Sequence, residues 1–179
     1  MTRTCQVLFV ASILLSRVAA AQPEVERPEM VKVDFLVGEW DGEGWVAFGP
    51  GPHRTFTIHE SVQRKLDGLV LLLEGIGKSP GPDGKERITH HALATLAYDP
   101  RARLYRLSSY REGSGFIAGD AKVGPGAKSL TWGFNDPRGG DIRFTIRLDD
   151  QGRWTEAGEA SRDGGKTWHQ FLEMTLHRR

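Results

Sequence analysis

From residue 39 onward, apolar and polar positions trade places with period two along short runs, and each run ends at a cluster of Gly, Pro, Asp or Asn. The runs lie at 39–48, 54–66, 69–78, 88–99, 103–112, 115–123, 128–134, 141–149, 153–161 and 167–178. Side chains alternate across a strand, so each run predicts a β-strand with one buried face, and the separators predict tight turns. The clearest case is 141–149. There Ile142, Phe144, Ile146 and Leu148 share one face and Arg143, Thr145 and Arg147 the other. Helical periodicity is nearly absent after residue 38. About ten short, evenly spaced strands predict an all-β fold, a single antiparallel up-and-down β-barrel. Ahead of them, apolar Val31, Val33, Phe35, Leu36 and Val37 predict a short N-terminal capping helix or turn.

The first residues break this pattern. Arg3, an apolar run of about ten residues, and small Ala19 and Ala21 ahead of Gln22 predict a cleaved signal peptide over 1–21. The run is too short to span a bilayer. Polar, proline-bearing 22–30 reads as a linker, and 31–179 as the barrel domain. The expected location is secreted or periplasmic. Cys5 is the one cysteine and falls within the signal, so the mature chain is expected to have no disulfide, thiol nucleophile or cysteine metal site.

Charge narrows the partners. The chain carries 24 Lys and Arg against 23 Asp and Glu, and loss of Arg3 and Arg17 brings the net to about −1. Without a basic stripe, nucleic acid and anionic membrane are not expected partners. No membrane insertion is expected after signal cleavage, and oligomeric state is not read from the sequence.

Gly38-Glu39-Trp40 opens the first strand. Glycine lets the chain turn from cap to sheet, and the Trp is expected to plug the barrel floor. Here the chain resembles the calycin superfamily of lipocalin-like barrels, in which G-x-W begins strand one. The resemblance implies a basic residue on the last strand near that Trp, matched by Arg178 or Arg179. FLVGEWDGEG further resembles the opening of nitrobindin-like heme-binding barrels and of a related, uncharacterised family of secreted bacterial domains. The nitrobindin-like resemblance implies a heme-ligating histidine on a late strand, for which His169 is the candidate. Alternation sets His169 opposite Leu172, Met174 and Leu176, which turns it outward, so no cofactor is expected, and heme stands only as the alternative the resemblance raises.

Polar residues on apolar strand faces are the candidates for a ligand-lining role. Glu60 shares a face with Phe56, Ile58 and Val62, and Glu74 with Val70, Leu72 and Ile76. A carboxylate there needs an Arg partner or solvent at the mouth; Arg106, Arg143 and Arg147 are available. Adjacent His90 and His91 point to opposite faces and cannot chelate one metal; His91 is taken as the lumen candidate. Ser161-x-Asp163-x-Gly165-x-Thr167-Trp168 matches the Asp box of sialidase-type propellers. One copy in so short a chain predicts a rigid hairpin between the last two strands, with no glycosidase implication. Phosphate-binding, nucleophile-elbow and zinc-protease motifs are absent.

The residues therefore predict a non-catalytic exported barrel that binds a small apolar molecule in its lumen. The competing readings are a heme-binding nitrobindin-like protein, an enzyme using a lumen carboxylate or histidine, and an outer-membrane barrel.

Overall fold

The computed structural model describes residues 26–179 apart from 48, 50 and 114. The expected signal peptide lies outside the described residues. A six-residue helix α1 (Glu26–Val31) and a 3-10 turn (Asp34–Leu36) lead into ten strands: β1 (Gly38–Val46), β2 (Arg54–Lys65), β3 (Val70–Pro80), β4 (Glu86–Asp99), β5 (Leu104–Arg111), β6 (Gly115–Val123), β7 (Ser129–Asp136), β8 (Gly140–Leu148), β9 (Trp154–Ser161) and β10 (His169–Arg178). Each strand pairs antiparallel with its neighbours in sequence, and β1 pairs with β10. The result is the expected closed up-and-down barrel with a short capping helix. The cap begins earlier than expected. Residues 26–30, read as linker, are helical, because Met30 buries against the barrel end and the Tyr105 hydroxyl donates to the Glu29 carbonyl (2.7 Å).

One end of the barrel is packed solid. Val33 and Leu36 of the cap, Trp40, Val62, Leu71, Leu73, Leu96, Leu107, Leu130, Ile146, Trp154 and Leu176 make its core. Trp40 sits at the centre, fully buried. Its indole N–H donates to the Leu36 carbonyl (2.9 Å), and its ring meets Trp154 edge-on at 5.6 Å. The Arg178 guanidinium lies 4.2 Å over the indole and donates to the Val37 and Phe35 carbonyls. These are carbonyls that the short cap leaves without helical partners. Gly38 has φ +140°, a conformation that suits glycine, and a Cβ there would strike the same guanidinium.

The predicted hairpin joins β9 to β10. The Asp163 carboxylate accepts from the backbone N–H groups of Lys166 and Thr167 and from the Thr167 hydroxyl (2.6 Å). Ser161 donates to Asp163 and accepts from Gly165 N–H, both at 2.8 Å. Gly165 adopts φ +84°. The Trp168 indole donates to the Gly165 carbonyl and stacks under the Arg143 guanidinium at 4.0 Å. These donors hold the Asp163 carboxyl down at about 2, the Thr167 hydroxyl foremost.

One seam is short. β6 and β7 share four register pairs, from Asp120↔Gly133 to Val123↔Leu130. The neighbouring pairings β5–β6 and β7–β8 run over seven and eight.

Replacing Trp40 with Ala removes the plug and its contacts with the Leu36 carbonyl, the Arg178 guanidinium and the Trp154 ring. The expected loss is about 3–5 kcal/mol, the range for a large aromatic deleted from a core, read as a lowered urea midpoint. A loss under about 1 kcal/mol would show that the floor does not depend on this ring.

Candidate functional site

Above the packed floor, the inward-facing residues change character. Cross-strand register assigns the faces, since partners share a side of the sheet. One inner row runs Arg178–Trp40–Glu60–Gly75–Ala92–Arg111–Gly115 through β10, β1, β2, β3, β4, β5 and β6. Next to it lie Leu176, Gly42, Ile58, Gly77 and His90. On the far wall, Trp132 stacks on Phe144 at 4.8 Å, Phe134 flanks Trp132 at 5.9 Å, and Phe171 meets Phe144 edge-on at 5.8 Å. These aromatics point inward yet keep solvent-exposed surface, as do Phe56, Ile142 and Leu172. Inward-facing residues that keep accessible surface show that the upper half is less closely filled than the floor, and this half is the candidate lumen.

Four polar side chains reach into it: Glu60, Glu156, His90 and Arg111. The Glu60 carboxyl lies against Gly75, where a Cβ would stand 2.4 Å from Oε1; glycine is the residue that leaves it room. Burial pushes this carboxyl up to about 8, aided by the charge of Glu156. Glu156 faces inward between Trp154 and Gly158 and is itself raised to about 7 by burial, with an opposing hydrogen bond from the Trp154 indole (3.2 Å). Both glutamates are deeply enclosed but keep a little accessible surface. At neutral pH Glu60 is chiefly the neutral acid, able to donate a hydrogen bond as well as accept one. His90 is lowered to about 4, by burial first and then by the positive charge of Arg111, so its imidazole is neutral. The Arg111 Nε is buried and has no hydrogen-bond partner.

The sequence-predicted residues divide. Glu60 lies in the lumen. Glu74 and His91 do not: they are on the outer face, hydrogen-bonded to each other at 2.9 Å. The reason is parity. β3 is apolar on both faces, and its buried set is Leu71, Leu73, Gly75 and Gly77, which leaves Glu74 outside. On β4 the buried Leu96 shares its face with Ala94, Ala92 and His90, and Leu93, beside His91, is 42% exposed. The small Ala92 and Ala94 on this inner face leave room for what the neighbouring strands carry inward. His169 is exposed at the start of β10, next to a bulge between Gln170 and Leu172 that brings Phe171 into the aromatic wall. The three arginines offered as partners for Glu60 are on the outer face. Arg143 binds Glu159 and Arg106 binds Asp120, and Arg147 pairs in register with outward Ser129 and Thr155. Arg111 was missed as a lumen residue. Its parity with Leu107 and Tyr105 was the available signal. Gly38, Trp40, Ser161, Asp163, Gly165 and Trp168 take the structural positions described above.

Among the described residues no group of three or more His, Cys, Asp or Glu could hold a metal ion. On the outer surface His59 bridges Asp41 (2.7 Å) and Glu39 (3.1 Å), well away from the lumen polar groups.

Floor and aromatic wall belong to one closed, ten-stranded antiparallel barrel with a short capping helix. Solved structures agree on the fold. The chain is similar to Rv2717c from M. tuberculosis at TM-score 0.60 and 16% identity, covering 85% of this chain and 98% of that one. It is also similar to the S-type phycobiliprotein lyase CPES from Guillardia theta, at TM-score 0.58 and 12% identity, covering 88% of this chain and 98% of that one. No protein-family model and no curated protein matches the chain.

The raised carboxyls tie stability to pH. The folded state holds protons on Glu60 and Glu156 that the unfolded chain releases near its ordinary value of 4.5. Their contribution is therefore present below about 4.5 and is lost as pH rises through about 7 to 8. His90 acts oppositely between about 4 and 6.5 and offsets one of the two carboxyls there, so the net fall begins near 4.5 and steepens above about 6.5. Urea midpoints are expected to drop between pH 6.5 and about 8.5, and Glu60→Gln to flatten the drop. An unchanged pH slope in that variant would contradict the assignment.

Proposed function

We propose that this barrel binds a small, largely apolar molecule in its lumen and performs no chemistry on it. The observation that carries this reading is the aromatic wall of Trp132, Phe134, Phe144 and Phe171, inward-facing and solvent-touched. Large apolar side chains facing water inside a concavity lower their free energy by receiving an apolar guest. The few polar groups around them, Glu60, Glu156 and His90, suit orientation of such a guest. The fold alone does not carry the function, and the named relatives lend this proposal only their architecture.

The competing readings find less support. For an enzyme, Glu60 and Glu156 have the shifted acidity that acid–base work uses, but burial, with the charge of Glu156 acting on Glu60, accounts for it. For heme, the late-strand His169 is exposed at the rim. For an outer-membrane barrel, a lipid-facing band would be apolar; here the outer face carries Arg143–Glu159, Arg106–Asp120 and His59 with Glu39 and Asp41. The reading of residues 1–21 as an export signal puts the binding in the periplasm or outside the cell.

Purified barrel titrated with N-phenyl-1-naphthylamine, a neutral apolar fluorophore, is expected to give saturable binding with a blue-shifted emission. Ala92→Trp, set on the inner row, is expected to abolish it. It should change stability by less than the roughly 1–3 kcal/mol that overpacking a filled core costs. Absence of saturable binding by the wild-type barrel would sink the proposal. A parallel hemin titration whose Soret band shifts, and loses the shift in His169→Ala, would replace it with the heme reading.

A further inference from the structure

Among the described residues, Arg111 is an inward-facing cation with no acid paired to it. Arg111 ends β5 on the inner face, in line with Tyr105, Leu107 and Ser109. Its Nε is buried and unbonded, and among the described residues its side chain makes no ion pair. The acids nearest in the fold are engaged elsewhere or point away. Glu74 is tied to His91 and Asp120 to Arg106, both outside, and Glu112 is exposed in the β5–β6 turn. Glu60 shares the inner row with Arg111, but Gly75 and Ala92 stand between them. Three strand spacings separate the two, about 14 Å along the sheet. Burial favours the neutral form of Glu60, and no ion pair joins it to Arg111. Leaving a guanidinium N–H buried without an acceptor is costly, and the fold recovers none of that cost internally.

We propose that Arg111, with His90 beside it, is the docking point for a carboxylate, so that the ligand of the lumen is an amphipathic acid. This deepens the lumen reading and rests on it. The edge formed by Nε and one terminal nitrogen of a guanidinium matches the two oxygens of a carboxylate side by side. A single positive charge beside a neutral imidazole suits one negative charge better than the two of a phosphate. His90 adds a neutral ring nitrogen as a further hydrogen-bonding group. The strands β4 and β5 that carry the two residues stand five places round the ring from β9 and β10. The acid group is thus held on the wall opposite Phe171, and the apolar body extends from it over Ala92 and Gly75 towards the aromatic side.

The test compares cis-parinaric acid with its methyl ester in the wild-type barrel, by fluorescence titration above pH 7. The acid is expected to bind at least about tenfold tighter, as a charge-assisted pair in a sheltered site would give. Arg111→Gln is expected to bring the two affinities together by weakening the acid far more than the ester, and Arg106→Gln, on the outer face, to leave the ratio as in the wild type. Equal affinity of acid and ester in the wild-type barrel overturns the proposal without recourse to any variant. A preference that survives in a folded Arg111→Gln barrel overturns it as well. Failure of both acid and ester to bind the wild-type barrel rejects the lumen reading itself. Ester binding without acid preference leaves that reading standing and removes only the carboxylate site.

Discussion

The placement of the Trp40 indole is the constraint on which the barrel depends. Ten strands enclose more space than side chains from the wall readily fill, so one end must be stoppered for the chain to gain a core. Trp40 is held from three directions, by the Leu36 carbonyl, the Arg178 guanidinium and the Trp154 ring. That fixes its inward orientation, and closure transmits the choice round the ring. Once Trp40 is inside, its partner Glu60 is inside, and after it Gly75, Ala92 and Arg111. A single buried aromatic thus decides which polar groups belong to the lumen and which to the surface.

That chain of dependence explains what the sequence disclosed. Strand number, the β8 alternation, the Gly38–Trp40 floor and the Asp163 hairpin were legible because each is local: a period, a motif or a turn. The basic residue expected near Trp40 is Arg178, across a register pair at the far end of the chain. The lumen residues were only half legible. Glu60 sits on a strand with one plainly apolar face. Glu74 and His91 sit on strands whose two faces are alike, Leu71 and Leu73 against Val70 and Leu72, Ala92 and Ala94 against Leu93. Period alone cannot choose between such faces. The choice is made by the neighbouring strand, whose glycines and alanines make room for what it carries inside. The bulge at Gln170–Leu172, which turns Phe171 into the aromatic wall, has no clear sign in the local sequence.

The two halves of the interior divide the work of folding and of recognition. The floor buries aliphatic and indole surface and supplies cohesion. The upper half sets aromatic rings against water and holds carboxyls shifted away from their ordinary acidity. Those features oppose stability in the empty barrel. A protein can sustain them because the floor and ten closed ladders supply the surplus, and a guest that covers them would return the cost as affinity.

The short seam between β6 and β7 has a mechanical consequence. A closed cylinder has no free edge from which to fray, so its resistance to widening is that of its weakest ladder. Here that ladder ends after four residue pairs, beside the strand pair β5–β6 that carries Arg111 to the rim. Parting it further breaks few hydrogen bonds, whereas spreading any other joint breaks many. The hoop is therefore most compliant there, and the least costly way to admit a guest wider than the resting aperture is to let this one joint give while the stoppered floor keeps the other nine in register.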